Sequence, residues 1–287
     1  MPLVFAAIAP HGGLAIEELC APEDREVALA TRRGLEELGR RFDAADPEAV
    51  IVLTPHNIHV EGAMAVITAG KLAGELKEGG ARRGAFEPNA GRKGVSLEIP
   101  TDRDLAQRCL EALHGAGIPA AGVSYGANDP AAGVFPMDWA ILVPLWFMGG
   151  RRERPVPAVA IAPARDLSDD THVTAGEALR AAIDATRARV ALIASCDHAH
   201  THDEKGPYGF SPAARALDAR IVDIVRRDRL ADLLSIDRAL IRDGKPDSYW
   251  QMLMLHGATR SGGWRGDLLS YEAPTYFGML CASYLPA

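Results

Sequence analysis

The chain has 287 residues, enough for one large α/β domain or two small ones. Its composition, 48% hydrophobic and 24% charged, is that of an ordinary globular protein and excludes disorder and collagen-like repeats. With 38 acidic against 31 basic residues the net charge is −7, the wrong sign for a dedicated nucleic-acid binder.

Residues 3–8 form a short apolar run that stops at Pro10-His11-Gly12-Gly13, the pattern of a buried strand and a loop. Residues 22–41 have helical spacing, with Val27, Leu29, Leu35, Leu38 and Phe42 on one face. Pro22, Glu23 and Asp24 suit the start of that helix. Residues 50–53 and 63–67 read as strands. Residues 70–100 are polar and Gly-rich and read as a long surface excursion or lid. Thr101 caps a helix over 101–113 that Gly115 and Gly117 end. Residues 140–148 are continuously apolar. A strand over 156–161, an amphipathic helix over 170–187 and a buried strand over 190–195 follow. Helices over 211–227 and 249–255 and a strand over 275–285 complete the series. The alternation argues an α/β fold, without internal repeat or linker, in one domain.

No run of about 18 apolar residues exists, so no membrane span is expected. Met1-Pro2-Leu3-Val4-Phe5 has no basic region and does not fit a signal peptide. Cys20, Cys109, Cys196 and Cys281 are widely spaced, which fits a reduced, cytoplasmic chain. The pairs Arg32-Arg33, Arg40-Arg41 and Arg151-Arg152 lack interleaved aromatics and read as solvated charge.

Five of the nine histidines fall within 56–59 and 198–202. Three loops share one design, a buried strand followed at once by histidine: Ile8-Ala9-Pro10-His11, Leu53-Thr54-Pro55-His56-Asn57-Ile58-His59, and Ser195-Cys196-Asp197-His198-Ala199-His200-Thr201-His202. Ligands of open α/β sheets bind at the carboxyl ends of strands, so neighbouring parallel strands would bring these loops together. Two histidines and one carboxylate make the open-sided site of non-haem Fe(II) oxygenases. His11 and His56, each fixed behind a proline, are the candidate imidazole ligands. Spacing leaves the carboxylate open among Glu61, Asp138, Asp197, Asp247 and Glu272. The dense 196–202 run is poorly spaced for a closed structural zinc.

Four segments together resemble the class III extradiol ring-cleavage dioxygenases, such as protocatechuate 4,5-dioxygenase β subunits and homoprotocatechuate 2,3-dioxygenases. They are Ile8-Ala9-Pro10-His11, Val52-Leu53-Thr54-Pro55-His56, Ala140-Ile141-Leu142-Val143-Pro144-Leu145 and Ala194-Ser195-Cys196-Asp197-His198-Ala199-His200. The resemblance implies a single catalytic domain over 1–287, with a mixed central β-sheet flanked by helices and the site at the carboxyl ends of strands. It implies Fe(II), with zinc or manganese as alternative ions, and a small aromatic diol or aminophenol cleaved with O2. It places His200 as the catalytic acid–base. The family's third ligand is a glutamate ahead of a late helix. Here Asp247 stands there, with Glu272 in reserve. Trp139 replaces a polar residue of some members and implies an apolar substrate face.

His59 and His198 are expected to line the substrate pocket, and Asp197 to fix a histidine tautomer. His202 flanks the loop, and Tyr208 and Phe210 can close over a ring. His256 reads as a core residue, His114 and His172 as surface residues. A zinc-dependent hydrolase and a Memo-like, non-enzymatic binding protein are the competing readings. A homo-oligomer is expected from base rates, and some members of the class need a separate small subunit.

Overall fold

The computed structural model describes residues 2–77 and 94–287. In chain order the elements are β1 (Leu3–Ala9), α1 (Leu29–Ala45), β2 (Ala49–Leu53), β3 (Met64–Ile67), β4 (Lys71–Lys77) and β5 (Gly94–Pro100). They continue with α2 (Arg103–Gly115), β6 (Ala120–Val123), β7 (Val134–Pro136), α3 (Trp139–Phe147), β8 (Ala158–Ala162) and α4 (Asp169–Asp184). The last are β9 (Val190–Ser195), α5 (Ala213–Arg226), α6 (Arg238–Gly244), α7 (Tyr249–Thr259), β10 (Trp264–Glu272) and β11 (Met279–Pro286).

Among the described residues the main sheet has eight strands in the order β10-β11-β1-β9-β2-β8-β3-β6. The inner strands β1, β9, β2 and β8 run parallel. β11 lies antiparallel on β1, and β3 antiparallel on β8, so the sheet is mixed. The inner strands are apolar throughout because helices cover both faces, and both side-chain rows must therefore be hydrophobic. β1 shows the partition. Ala6 and Ile8 join the core beneath α2, α4, α5 and α7. Phe5, Ala7 and Ala9 join the opposite core with α1, α3 and the small sheet β5-β4-β7. The chain is thus a single α/β domain, as expected.

Several local expectations are corrected. The first helix begins at Leu29. Residues Pro22–Asp24 form one 3-10 turn, and Ala28 takes a left-handed φ of 61° that interrupts the helical path. Arg32 is buried, and its guanidinium donates to the carbonyls of Leu14, Arg25 and Asp24, pinning the segment before the helix. The cap of α2 is Asp102, which accepts from the Leu105 amide at 3.0 Å, not Thr101. Of the excursion at 70–100, the described parts are the antiparallel strands β4 and β5. The rest of that expected lid, 78–93, lies outside the described residues. β6, β7, α6 and β10 have no counterpart in the sequence reading. His172 is fully buried in α4, where its Nδ1 donates to the Ser168 carbonyl at 2.8 Å.

Candidate metal centre

The parallel order β1-β9-β2 places three loops side by side. Ala9 is level with Ser195, and Leu53 with Ala194, so the strands end together. His11 follows β1, Asp197 follows β9 and His56 follows β2. Asp247 enters from the segment ahead of α7, held by its own amide on the Asp197 carbonyl at 3.3 Å. One ligand atom each from His11, His56 and Asp247 lie within 4.8 Å of one another.

Hydrogen bonds set the ring orientation of each histidine. The Ser195 hydroxyl donates to the Ala140 carbonyl at 2.6 Å, so its lone pair accepts from His11 Nδ1 at 2.9 Å. His56 Nδ1 donates to Asp138 Oδ2 at 2.6 Å, while Asp138 Oδ1 caps α3 by accepting from the Ala140 amide. His200 Nδ1 donates to the Lys245 carbonyl at 3.0 Å. In all three rings Nδ1 is therefore the donor to a fixed acceptor, which leaves Nε2 as the nitrogen that a metal ligand or a general base would use.

Charge is concentrated at one atom. His11 Nε2 lies 3.2 Å from Asp247 Oδ2 and 3.5 Å from Asp197 Oδ2. Burial alone would lower the His11 pKa, but the carboxylates of Asp197 and Asp247 outweigh it and raise it to about 9. Burial works to raise Asp247, and the imidazole of His11 outweighs it, holding that carboxyl below its usual range. Asp197 goes up, because burial outweighs the attraction of His11. A divalent cation binding at His11 Nε2 would take the place of the proton held there. Two imidazole nitrogens and a carboxylate oxygen fit first-row divalent ions, imidazole suiting zinc and iron alike.

The centre lies in the wall of a cavity of about 650 Å³. Trp139 stands against His56, ring centroids 4.5 Å apart. Phe277 stacks on His200 at 5.5 Å, and Tyr208 meets His200 edge-on at 5.9 Å. His200 Nε2 is 3.7 Å from Asp247 Oδ2. Arg165, Lys245 and Trp250 also line the cavity.

Two expected pocket residues stand elsewhere. His59 follows the left-handed turn at Asn57, is exposed and is not in the cavity wall. His198 is fully buried outside the cavity wall, with Nδ1 on the Ser248 hydroxyl at 3.0 Å. Glu272 accepts from the Thr31 amide at 2.6 Å, one of the free donors in the first turn of α1, and is not in the wall. His202 pairs with buried Asp218 at 2.8 Å. Phe210 is exposed outside the wall. Ser195, Tyr276 and Phe277 carried no sequence signal of their own, since a strand-end serine and two loop aromatics are common.

Residues 5–280 match the family model described as the catalytic LigB subunit of aromatic ring-opening dioxygenase. This chain belongs to the LigB family. The LigB match spans all four centre-forming segments, from His11 to the loop before β11. Protein CA_C1420 of Clostridium acetobutylicum is 24% identical over 269 residues, covering 92% of this chain and 54% of that protein. The chain thus spans about half the length of that curated relative. The uncharacterized protein JW3007 from Escherichia coli K12 shares the fold, with a TM-score of 0.57 at 18% identity over 98% of this chain and 99% of that one. The four cysteines are free and buried. Among the described residues no helix is long and apolar enough to cross a membrane.

Proposed function

We propose that this LigB-family chain is a non-haem Fe(II) dioxygenase that opens the ring of an ortho-diphenol or 2-aminophenol with O2. The observation that carries the reading is the convergence of His11, His56 and Asp247 in the cavity wall, with His200 Nε2 beside Asp247. In this reading His11, His56 and Asp247 hold the ion. When bound, Fe(II) supplies the Lewis acidity that acidifies a chelating hydroxyl and the electrons that make O2 reactive.

The chain's own groups do the rest. His200, with Nδ1 tied to the Lys245 carbonyl, has Nε2 available to take the substrate hydroxyl proton and later return it. Phe277 behind His200 and Trp139 beside His56 form flat apolar walls for a ring. Arg165 and Lys245 suit a ring with an acidic substituent. A cavity this size holds both partners in fixed orientation.

The test is oxygen uptake after anaerobic loading with Fe(II), screened over catechols and 2-aminophenols. A yellow ring-opened semialdehyde with one O2 consumed per substrate is the expected result. No uptake with any of them sinks the reading. A zinc hydrolase is the second reading, favoured by the additional carboxylate of Asp197 in the wall, which can accept a proton from water. Turnover that persists under strict anaerobiosis would establish it instead.

A further inference from the structure

The loop that carries His200 is held by one buried carboxylate. Asp218 stands on the buried face of α5, with Ala214, Leu217, Ile221 and Val222, and is 1% exposed. Its Oδ1 accepts the Ala199 amide at 2.9 Å. Its Oδ2 accepts from His202 Nε2 at 2.8 Å and from the Tyr271 hydroxyl at 2.7 Å. A carboxylate can only accept, so all three groups are donors to it. A buried carboxylate on an apolar helix face is costly unless it is bonded in this way. Asp218 thereby ties a helix, the histidine loop and β10 together.

The anchored residues bracket His200. Ala199 precedes it, and His202 follows two residues on. Between them the His200 amide donates to the Gly244 carbonyl at 2.7 Å and its Nδ1 to the Lys245 carbonyl at 3.0 Å. The same loop is laced to the segment before β11. The Gly278 amide donates to the Ala199 carbonyl at 3.2 Å, and the His202 amide to the Tyr276 carbonyl at 3.1 Å. Phe277 stands between these two anchors and stacks on His200 with an interplanar angle of 23°. A Cβ at Gly278 would lie 2.1 Å from Asp218 Oδ2, so glycine there leaves the room that the carboxylate occupies.

We propose that Asp218 is a positioning residue for His200, gripping the loop on both sides of the ring and so keeping the ring stacked on Phe277. Asp218 is outside the cavity wall and acts through His200. The inference rests on the reading of His200 as the acid–base. Its consequence is geometric: a displaced proton-transfer group lowers the rate far more than it weakens substrate binding.

The test observes the His200 ring by NMR in the full chain carrying isotope-labelled histidine, with Zn(II) added as a diamagnetic ion. The His200 signals are identified by their loss in His200→Gln. In the wild type the stacked Phe277 ring displaces them upfield. Asp218→Ala removes the acceptor and is expected to abolish that displacement. Asp218→Asn keeps an oxygen for the Ala199 amide and should restore most of it. Wild-type His200 signals in Asp218→Ala, whatever its loss of stability, overturn the proposal. Should Asp218→Ala not fold, His202→Ala decides. It removes one anchor and should move the His200 signals part of the way, and no movement overturns the proposal. Oxygen uptake by the Fe(II)-loaded chain over the same catechols and 2-aminophenols is the second readout. There kcat should fall roughly 10²-fold in Asp218→Ala with KM little changed. The same fall in a His200→Gln background would show that Asp218 acts apart from His200 and overturns the proposal. If the wild type consumes no O2, the dioxygenase reading falls, while the His200 signals still decide this inference.

Discussion

Ser195 fills the gap that Pro144 leaves in α3. A residue at position 144 with an amide would donate to the carbonyl of Ala140, four residues back, but proline has none. The Ser195 hydroxyl takes that carbonyl at 2.6 Å instead. With its single hydrogen so used, Ser195 can only accept from His11, and the His11 ring is set with Nε2 toward the centre. A helix defect in one element thus fixes a tautomer in another.

Ser195→Ala should therefore loosen the centre without touching it. The Ala140 carbonyl and His11 Nδ1 lose their partner inside the protein. We expect metal affinity to fall roughly 10–100-fold and stability by about 1–3 kcal/mol. Metal titration and urea unfolding check the two effects separately. Unchanged affinity would show that the Nδ1 partner is immaterial.

His200→Gln should separate binding from chemistry. Phe277 and Tyr208 still pack the site, and His11, His56 and Asp247 are untouched. Metal content is expected to stay at the wild-type level, while turnover falls roughly 10²–10⁴-fold. Metal analysis beside oxygen uptake gives the answer. Loss of metal together with activity would place His200 among the ligands.

The metal-free chain should be most stable near pH 6.5. His11 has its folded pKa raised to about 9 from 6.5, as Asp197 and Asp247 outweigh burial, so the folded chain binds the extra proton and stability falls as pH rises through that window. His172, His198 and His256 are lowered from 6.5, chiefly by burial. For them the unfolded chain binds the extra proton, and stability falls as pH drops below 6.5. One group contributes at most about 1.4 kcal/mol per pH unit. Urea midpoints in chelator at about pH 5.5, 6.5 and 8.5 should trace both limbs. Loading metal should abolish the alkaline limb, because His11 Nε2 then has no proton to lose. Metal-free stability that keeps climbing to the highest pH would contradict the His11 assignment.

Gly176→Ala tests how α7 is seated. A Cβ at Gly176 would lie 1.9 Å from the Met254 carbonyl oxygen, and one at Gly257 2.0 Å from that of Val173. Each glycine thus lets α4 and α7 approach backbone to backbone. Neither carbonyl can yield as a flexible side chain would, so the helices must separate. The expected loss is about 1–3 kcal/mol. Asp247 sits just ahead of α7, so metal affinity should fall as well. A Tm within a degree or so of wild type would mean that the helices part without penalty.

The sequence by itself determined the α/β class, the inner strands and the two strand-end histidines His11 and His56. Those signals are local: a buried parallel strand is an unbroken apolar run, and a proline-histidine pair after it marks the loop. The left-handed Ala28 and the buried Arg32 were hidden, because periodicity sees side-chain spacing and not backbone direction. Only the tertiary structure decided which acid stands at the centre. Glu272 and Asp247 are equally plausible on spacing, but Glu272 is engaged by the Thr31 amide, whereas Asp247 meets His11 from 236 residues away. It also decided that Asp138 serves His56 and that Asp197 faces His11. Such choices depend on strand order, since β1, β9 and β2 become neighbours in an order the chain does not follow.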